Sequence, residues 1–223
     1  LLSITTYTFD IFYLELFSPL LTGAQVVLID KEVSANGVAL HKQIEKYNAD
    51  FIQATPSNWK MLVSSGLKYN KGLTMLCCGE AVSDELKNKL LPLCDSLWNL
   101  YGPTEATIWA TIEELTSDND VTIGVPLPNY SAYIVDANTN VVPMGVIGEL
   151  CIGGDSIAKG YLNKKELTER CFIDNPFEKE GKLYFTGDLA RWLADGKIEY
   201  IGRKDSQVKI RGHRIELGEI ENQ

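Results

Sequence analysis

The segment Asn99-Leu100-Tyr101-Gly102-Pro103-Thr104-Glu105 brings an aromatic ring, a hydroxyl and a carboxylate to one turn. Leu97–Leu100 reads as the end of a short strand, and Gly102-Pro103 forces the turn that follows. A threonine hydroxyl there can donate to a phosphate oxygen, and a glutamate carboxylate is a hard oxygen ligand of the kind Mg2+ takes. The same residues also suit a turn with a buried aromatic and a capping threonine, which needs no ligand. Two more acids sit where chemistry is possible. Asp10 follows Phe9 and opens an apolar stretch at helical spacing, a place where aspartate commonly serves as an N-cap. Asp188 closes a Thr186-Gly187-Asp188 turn ahead of a strand, with Arg203 downstream. The plain alternative for that pair is a surface ion pair, which adds little stability.

Alternating strands and helices must position these groups. Asp10–Leu21 is apolar at helical spacing, with Gly23 placed to terminate it. Gln25–Ile29 is a β-branched run that reads as a buried strand, Ser34–Tyr47 as an amphipathic helix and Phe51–Ala54 as a strand. Pro56-Ser57 opens another helix, Thr74–Cys78 is a strand, and Ser83 caps a helix beginning at Asp84-Glu85. This alternation over residues 1–112 predicts the α/β class, a mainly parallel sheet flanked by helices. In such sheets ligands gather beyond the carboxyl ends of the strands. Gln53, Cys78-Gly79-Glu80 and Leu100-Tyr101 all fall at those ends, so the spacing converges on one pocket.

Beyond about residue 120 the pattern changes to short alternating runs separated by Gly, Pro, Asn and Asp. Ala132–Val135, Gly148–Ile152, Lys182–Phe185, Leu189–Leu193 and Lys197–Ile201 predict an antiparallel β-rich subdomain, with one short helix around Lys165–Arg170. Gly153-Gly154 lacks the lysine pattern of a phosphate loop and reads as a turn. The expected divisions are 1–120, 121–202 and 203–223.

The bulk properties exclude several function classes. A net charge of -9 argues against a nucleic-acid or anionic-membrane surface. Lys204, Lys209, Arg211, His213 and Arg214 form the only basic concentration, alternating with apolar residues as on an exposed strand. The five cysteines include no C-x-x-C pair, and His41 and His213 are far apart, so a zinc site has little support. The odd thiol count suits reduced cysteines in a cytoplasmic protein. No apolar run is long enough to span a membrane. Leu1–Thr5 opens inside a strand-like stretch and Glu219–Gln223 stops in an expected helix, so the chain reads as an internal fragment of a longer polypeptide.

Phe9-Asp10, NLYGPTE, Gly148–Leu162 (GELCIGGDSIAKGYL), Tyr184–Leu189 (YFTGDL) and Gly202–Glu221 (GRKDSQVKIRGHRIELGEIE) occur in that order. Together they resemble the core motifs of amino-acid adenylation domains of nonribosomal peptide synthetases. Those domains belong to the adenylate-forming superfamily that also holds acyl-CoA synthetases and luciferases. The resemblance covers essentially the whole chain. It implies ATP- and Mg2+-dependent activation of an amino acid as its adenylate. Transfer would follow to a phosphopantetheine thiol on a partner carrier domain, with a condensation domain as a further partner.

The resemblance also implies roles. Asp10 binds the α-amino group, a position where acyl-CoA synthetases generally lack an acid. Asp188 accepts from both ribose hydroxyls, Arg203 contacts ribose and phosphates, and Tyr101 packs on adenine. Gly79, Glu80 and Gly102 contribute to the nucleotide site, Thr104 takes phosphate and Glu105 takes Mg2+. Asp205 is the implied hinge to a small C-terminal lid domain, with Lys209 the second choice. A phosphate loop is expected before Leu1 and a substrate-contacting lysine after Gln223, so the fragment alone is expected to be inactive. The implied substrate pocket is Asp10, Ile11, Leu14, Gln53, Leu76, Cys78, Leu100, Ile108 and Trp109. That set resembles glycine-activating domains, departing at Cys78, where the pattern usually has glycine. The alternatives are an acyl- or aryl-CoA ligase and a non-catalytic domain that kept the fold.

Overall fold

The computed structural model describes residues 1–205, 207–210 and 213–215. It divides into two compact units, one built mainly from Leu1–Leu100 with Glu114–Val121, the other mainly from Tyr101–Glu113 with Thr122–Val208.

The first unit is a strand–helix alternation: β1 (Leu2–Ser3), α1 (Ile11–Leu21), β2 (Val27–Leu28), α2 (Lys31–Ser34), α3 (Gly37–Tyr47), β3 (Phe51–Ala54), α4 (Pro56–Ser64), β4 (Thr74–Cys78), α5 (Asp84–Leu90) and β5 (Ser96–Tyr101). The strands lie in the order β2-β1-β3-β4-β5. Each neighbouring pair among them is parallel, as the alternation predicts. Polar residues start the helices. Asn36, Thr55 and Ser83 each accept an N–H from the first turn of α3, α4 and α5. Their inward faces supply Leu40, Ile44, Trp59, Leu62, Leu86 and Leu90, which pack with Ile52, Leu73, Met75 and Leu97 of the sheet region in one apolar core.

Two expectations here need correction. The helix expected over Ser34–Tyr47 is two helices, because Asn36 adopts extended backbone and caps a new start on Ala39 N–H. The strand expected over Gln25–Ile29 keeps only Val27–Leu28 in ladder geometry, at the edge of the sheet.

In the second unit the start of β6 (Thr111–Leu115) pairs antiparallel with β7 (Val125–Pro126). Then follow β8 (Tyr130–Val135), β9 (Gly148–Gly154), α6 (Lys165–Cys171), β10 (Phe172–Asp174), β11 (Lys182–Trp192) and β12 (Ile198–Arg203). An antiparallel sheet runs β10-β11-β9-β8, and β12 pairs with β11. Ile134, Leu150, Ile152, Ala190 and Ile198 form its core with Tyr101, Ala106 and Ala110.

Lys182–Phe185 and Leu189–Leu193, expected as separate strands, belong to one strand with a register irregularity between them. Gly153-Gly154 is the end of β9, where a turn was expected. A side chain at Gly154 would meet Asn129 O at 2.1 Å. The basic run at the end holds two short strands, β13 (Val208–Ile210) and β14 (His213–Ile215), paired with each other. The helix expected over Glu219–Gln223 lies outside the described residues, as does Arg211. Among the described residues no helix is long and apolar enough to cross a membrane.

Ser83 accepts the Leu86 N–H at 3.2 Å. Ser83→Ala is expected to lower stability by about 1 kcal/mol, read from the urea unfolding midpoint, while Ser83→Asp keeps it within a few tenths of that value.

Candidate functional site

In the first unit, one face of the sheet carries four of the nine predicted pocket residues, Gln53, Leu76, Cys78 and Leu100. Gln53 is the register partner of Leu76, and Cys78 is the partner of Leu100. Leu76 and Cys78 are two apart on β4, so all four side chains leave the same face of neighbouring parallel strands. Gln53, Cys78 and Leu100 are buried, at 2%, 2% and 4% exposure. The Trp59 indole donates to Leu76 O at 3.2 Å, fixing α4 against this strand.

Asp10 is the N-cap of α1. Its Oδ1 accepts the adjacent Ile11 N–H at 2.8 Å, but its backbone is already helical (φ -60°, ψ -34°) and the bond reaches only the next residue, which departs from ordinary capping geometry. Ile11 and Leu14 follow on α1, half-buried. Gly79 has φ +87°, a conformation that favours glycine, and directly follows β4. Glu80 Oε2 accepts from Ser57 N–H at 2.9 Å and Ser57 Oγ at 2.7 Å, which holds the first turn of α4. A cavity of about 400 Å3 touches Leu14 and Leu76, but it is otherwise lined by residues outside the predicted set, among them Val27, Tyr47 and Phe51.

In the second unit, the turn after Tyr101 is built by close backbone approach. A Cβ at Gly102 would lie 2.2 Å from Ile108 O and 2.7 Å from Trp109 Cα, so only glycine lets the 107–109 segment pack there. That segment is unusual. Thr107 and Ile108 both have left-handed backbone, φ 57° and 75°, which is costly for β-branched residues. Several bonds hold it. Thr107 Oγ1 donates to Ser156 O at 2.6 Å, Tyr130 OH donates to Ala106 O at 2.8 Å, and Ala110 N–H donates to Tyr101 O at 2.8 Å. Thr104 is exposed, whereas Glu105 is buried and accepts Tyr161 OH at 2.7 Å. The Gly148–Leu162 motif touches this turn again where Ala158 N–H donates to Glu105 O at 2.8 Å.

Asp188 sits at a bulge. The ladder between β11 and β9 breaks between Phe185 and Leu189, and Gly187 has φ +74°. Thr186 fixes the bulge by donating to Leu150 O at 2.7 Å and accepting Asp188 N–H at 3.0 Å. This replaces the expected turn ahead of a strand, because Arg203 of β12 pairs directly with Asp188. The Asp188 side chain is only 6% exposed, so its ion pair with Arg203 is not the surface pair of the plain alternative. Tyr101 OH donates to Asp188 Oδ2 at 2.5 Å, and Arg203 Nη1 donates to Asp188 Oδ1 at 3.2 Å and Thr186 O at 2.7 Å. The other edge of the guanidinium grips Asp205, with Nε to Oδ1 at 2.8 Å and Nη2 to Oδ2 at 2.5 Å. Lys209 lies in β13.

Electrostatics follow from this packing. Burial pushes the Tyr101 phenol well above its usual value, and the neighbouring Asp188 charge adds to it. Burial and Glu105 push Tyr161 up to about 12. Burial alone would lower the Arg203 pKa, but its bonds to Asp205 and the Asp188 charge hold it above its ordinary value. Burial also pushes the Cys77, Cys94 and Cys151 thiols up, Cys94 to about 11. Among the described residues no group of three or more His, Cys, Asp or Glu is arranged to hold a metal ion. Sequence reasoning missed Tyr161, Tyr130 and Glu15, which act on the predicted residues from a distance in sequence. Glu15 carried the one available signal, as the lone acid in the apolar run Ile11–Leu21.

Raised tyrosine pKa values favour the protonated form in the folded state. Their contribution is complete below the unfolded value near pH ~10 and is lost as pH rises toward the folded values. The urea midpoint is therefore expected to fall as pH rises above about 10 toward about 12, and to fall less in Tyr101→Phe. A second expectation concerns Gly102→Ala, which should cost upwards of about 2 kcal/mol by forcing the 107–109 backbone away, read from the same unfolding curve.

Residues 1–162 match the family described as AMP-binding enzyme. The chain is 45% identical over 224 residues to a dimodular nonribosomal peptide synthase of Bacillus subtilis (strain 168), a match that covers 99% of the chain and 9% of that protein. It is 42% identical over 228 residues to gramicidin S synthase 2 of Brevibacillus brevis, covering 99% of the chain and 5% of that protein. Among solved structures, a four-domain nonribosomal peptide synthetase bound to AMP and glycine superposes with a TM-score of 0.88 at 47% identity, covering 99% of this chain and 17% of that one. The Vibrio cholerae adenylation domain AlmE, in complex with glycyl-adenosine-5'-phosphate, gives a TM-score of 0.88 at 26% identity over 99% of this chain and 43% of that one. The chain thus spans a small part of the length of the curated relatives it matches. From its motifs, its fold and these matches, it belongs to the AMP-binding enzyme family, with the adenylation sequence of nonribosomal peptide synthetases.

Proposed function

We propose that this chain forms part of a synthetase that activates glycine with ATP and passes it to a phosphopantetheine thiol on a carrier domain. In the activating step a bond forms between an amino-acid carboxylate oxygen and the α-phosphorus. The bond from that phosphorus to the pyrophosphate leaving group breaks. The protein's part is to position the reactants and neutralise charge.

The observation that carries the nucleotide half is the buried Asp188 carboxylate, held by Tyr101 OH and Arg203. A carboxylate fixed this way accepts from vicinal ribose hydroxyls, and Arg203 supplies permanent positive charge for phosphate. Tyr101 offers its ring to adenine, and Thr104, exposed beside the turn, offers a hydroxyl to phosphate. Mg2+ usually keeps several waters and takes one or two carboxylates plus substrate phosphates, a donor set that the single carboxylate of Glu105 fits. When bound, the ion would offset the phosphate charge.

For the amino acid, Asp10 offers a carboxylate to the ammonium group from the N-terminus of α1. Gln53, Leu76, Cys78 and Leu100 crowd one face of the sheet with no charged group among them. Bulky and apolar lining excludes large or charged side chains by clash and desolvation. The glycine bound in one structural relative and the glycyl adenylate in another support the smallest substrate. Asp205 and Lys209 are proposed as hinge residues, within a segment 203–223 that leads to a C-terminal lid. The carrier and condensation domains are the proposed partners, and the cytoplasm the proposed compartment.

Amino-acid-dependent pyrophosphate exchange by the synthetase that carries this chain tests the reading. Glycine is expected to give the highest rate, and preference for a bulky or charged amino acid would refute the substrate assignment. Asp10→Ala is expected to reduce exchange by about 100-fold while leaving the KM for ATP within twofold, since it removes one charge-assisted bond. An unchanged rate would remove the ammonium anchor.

A further inference from the structure

Glu15 lies in the otherwise apolar α1, and its side chain is fully buried, at 0% exposure. A carboxylate taken out of water is tolerated only when it is bonded. Its oxygens accept from Ser3 Oγ at 2.8 Å, Thr5 N–H at 3.1 Å and Thr5 Oγ1 at 2.6 Å. Burial pushes this carboxyl above its usual range, and the Thr5 and Ser3 bonds pull it back.

The same Thr5 hydroxyl lies 3.2 Å from Gln53 Oε1. A hydroxyl carries one proton, and here two acceptor oxygens face it. When Glu15 takes that proton, Gln53 can meet Thr5 Oγ1 favourably only through its NH2 group, which turns its carbonyl elsewhere. When a protonated Glu15 donates to Thr5 Oγ1, the Thr5 hydroxyl can instead donate its hydrogen bond to Gln53 Oε1. The amide of Gln53 is buried at 2% exposure, so an unfavourable orientation cannot be relieved by bulk water.

We infer that Glu15 is a positioning residue for amino-acid recognition. Acting through Thr5, it fixes which end of the Gln53 amide faces the substrate. This rests on the placement of Gln53 in the amino-acid pocket proposed above. A glutamate that merely tied β1 to α1 would need Ser3 and Thr5 N–H, but it would leave Gln53 indifferent to the Thr5 hydroxyl.

The test is amino-acid-dependent pyrophosphate exchange by the synthetase carrying this chain, with thermal unfolding measured on each variant. Thr5→Val removes the relay and leaves Glu15 its bonds to Ser3 Oγ and the residue-5 N–H. It is expected to raise the KM for the activated amino acid about tenfold with the KM for ATP within twofold. Thr5→Ser is expected to restore it, and Glu15→Gln to show the same split between the two substrates. Gln53→Ala is also expected to raise the amino-acid KM, and Thr5→Val combined with Gln53→Ala to be no worse than Gln53→Ala alone.

Independent, multiplying effects of the two changes would overturn the inference. So would a lowered unfolding temperature in Thr5→Val with no change in KM. If Gln53→Ala raises the amino-acid KM and Thr5→Val does not, the relay falls and the pocket stands. If Gln53→Ala changes nothing, both fall.

Discussion

A carboxylate removed from water must be given donors or it destabilises whatever holds it, and each unit of this chain is organised around one such group. In the second unit it is Asp188, which receives a phenol from Tyr101 and a guanidinium from Arg203. In the first it is Glu15, which receives two hydroxyls and an amide from Ser3 and Thr5. The donors come from elements distant in sequence. Their bonds therefore fix how strands and helices lie within each unit, beyond what apolar packing alone would specify. Packing sets the core; the buried acids set the register of particular side chains within it.

Irregular backbone does the rest of the positioning. A regular β11 would alternate side chains without interruption along Lys182–Trp192. The bulge at Thr186–Asp188 breaks that alternation where Asp188 must meet both Tyr101 and Arg203. Similarly, the two β-branched residues in left-handed conformation at Thr107 and Ile108 persist only because Ser156, Tyr130 and the bare face of Gly102 hold them. Strain of this kind, on the order of 1–3 kcal/mol per residue, gathers where geometry is prescribed by function. It lies directly after Thr104-Glu105, the pair read first from the sequence.

The elements with strong local signals were legible. Strands β3 and β4 and the start of α4 fall where short apolar runs, Pro and polar caps place them, because those preferences are settled within a few residues. The break at Asn36 was not, since the apolar period continues across it and only the cap geometry ends one helix and starts the next. The joining of Lys182–Phe185 to Leu189–Trp192 was hidden for the opposite reason. Thr-Gly-Asp reads as a turn locally, and only pairing with β9 and β12 makes it a bulge. At the site, the acids and glycines could be named from their types and order. What the chain alone did not reveal were the partners that orient them: Tyr161 on Glu105, Ser57 on Glu80, and Thr5 between Glu15 and Gln53. Those are contacts across long sequence separation, and no periodicity encodes them.

Four of the five cysteines, Cys77, Cys78, Cys94 and Cys151, are buried in the folded chain, and only Cys171 is partly open. Alkylating reagents attack the thiolate, so burial closes access to all four sulfurs while the cores stay closed, and at Cys77, Cys94 and Cys151 it also suppresses ionisation. Three of them belong to the first unit and one to the sheet of the second. Peptide-resolved alkylation would therefore record the opening of each unit separately, with no probe added to the molecule.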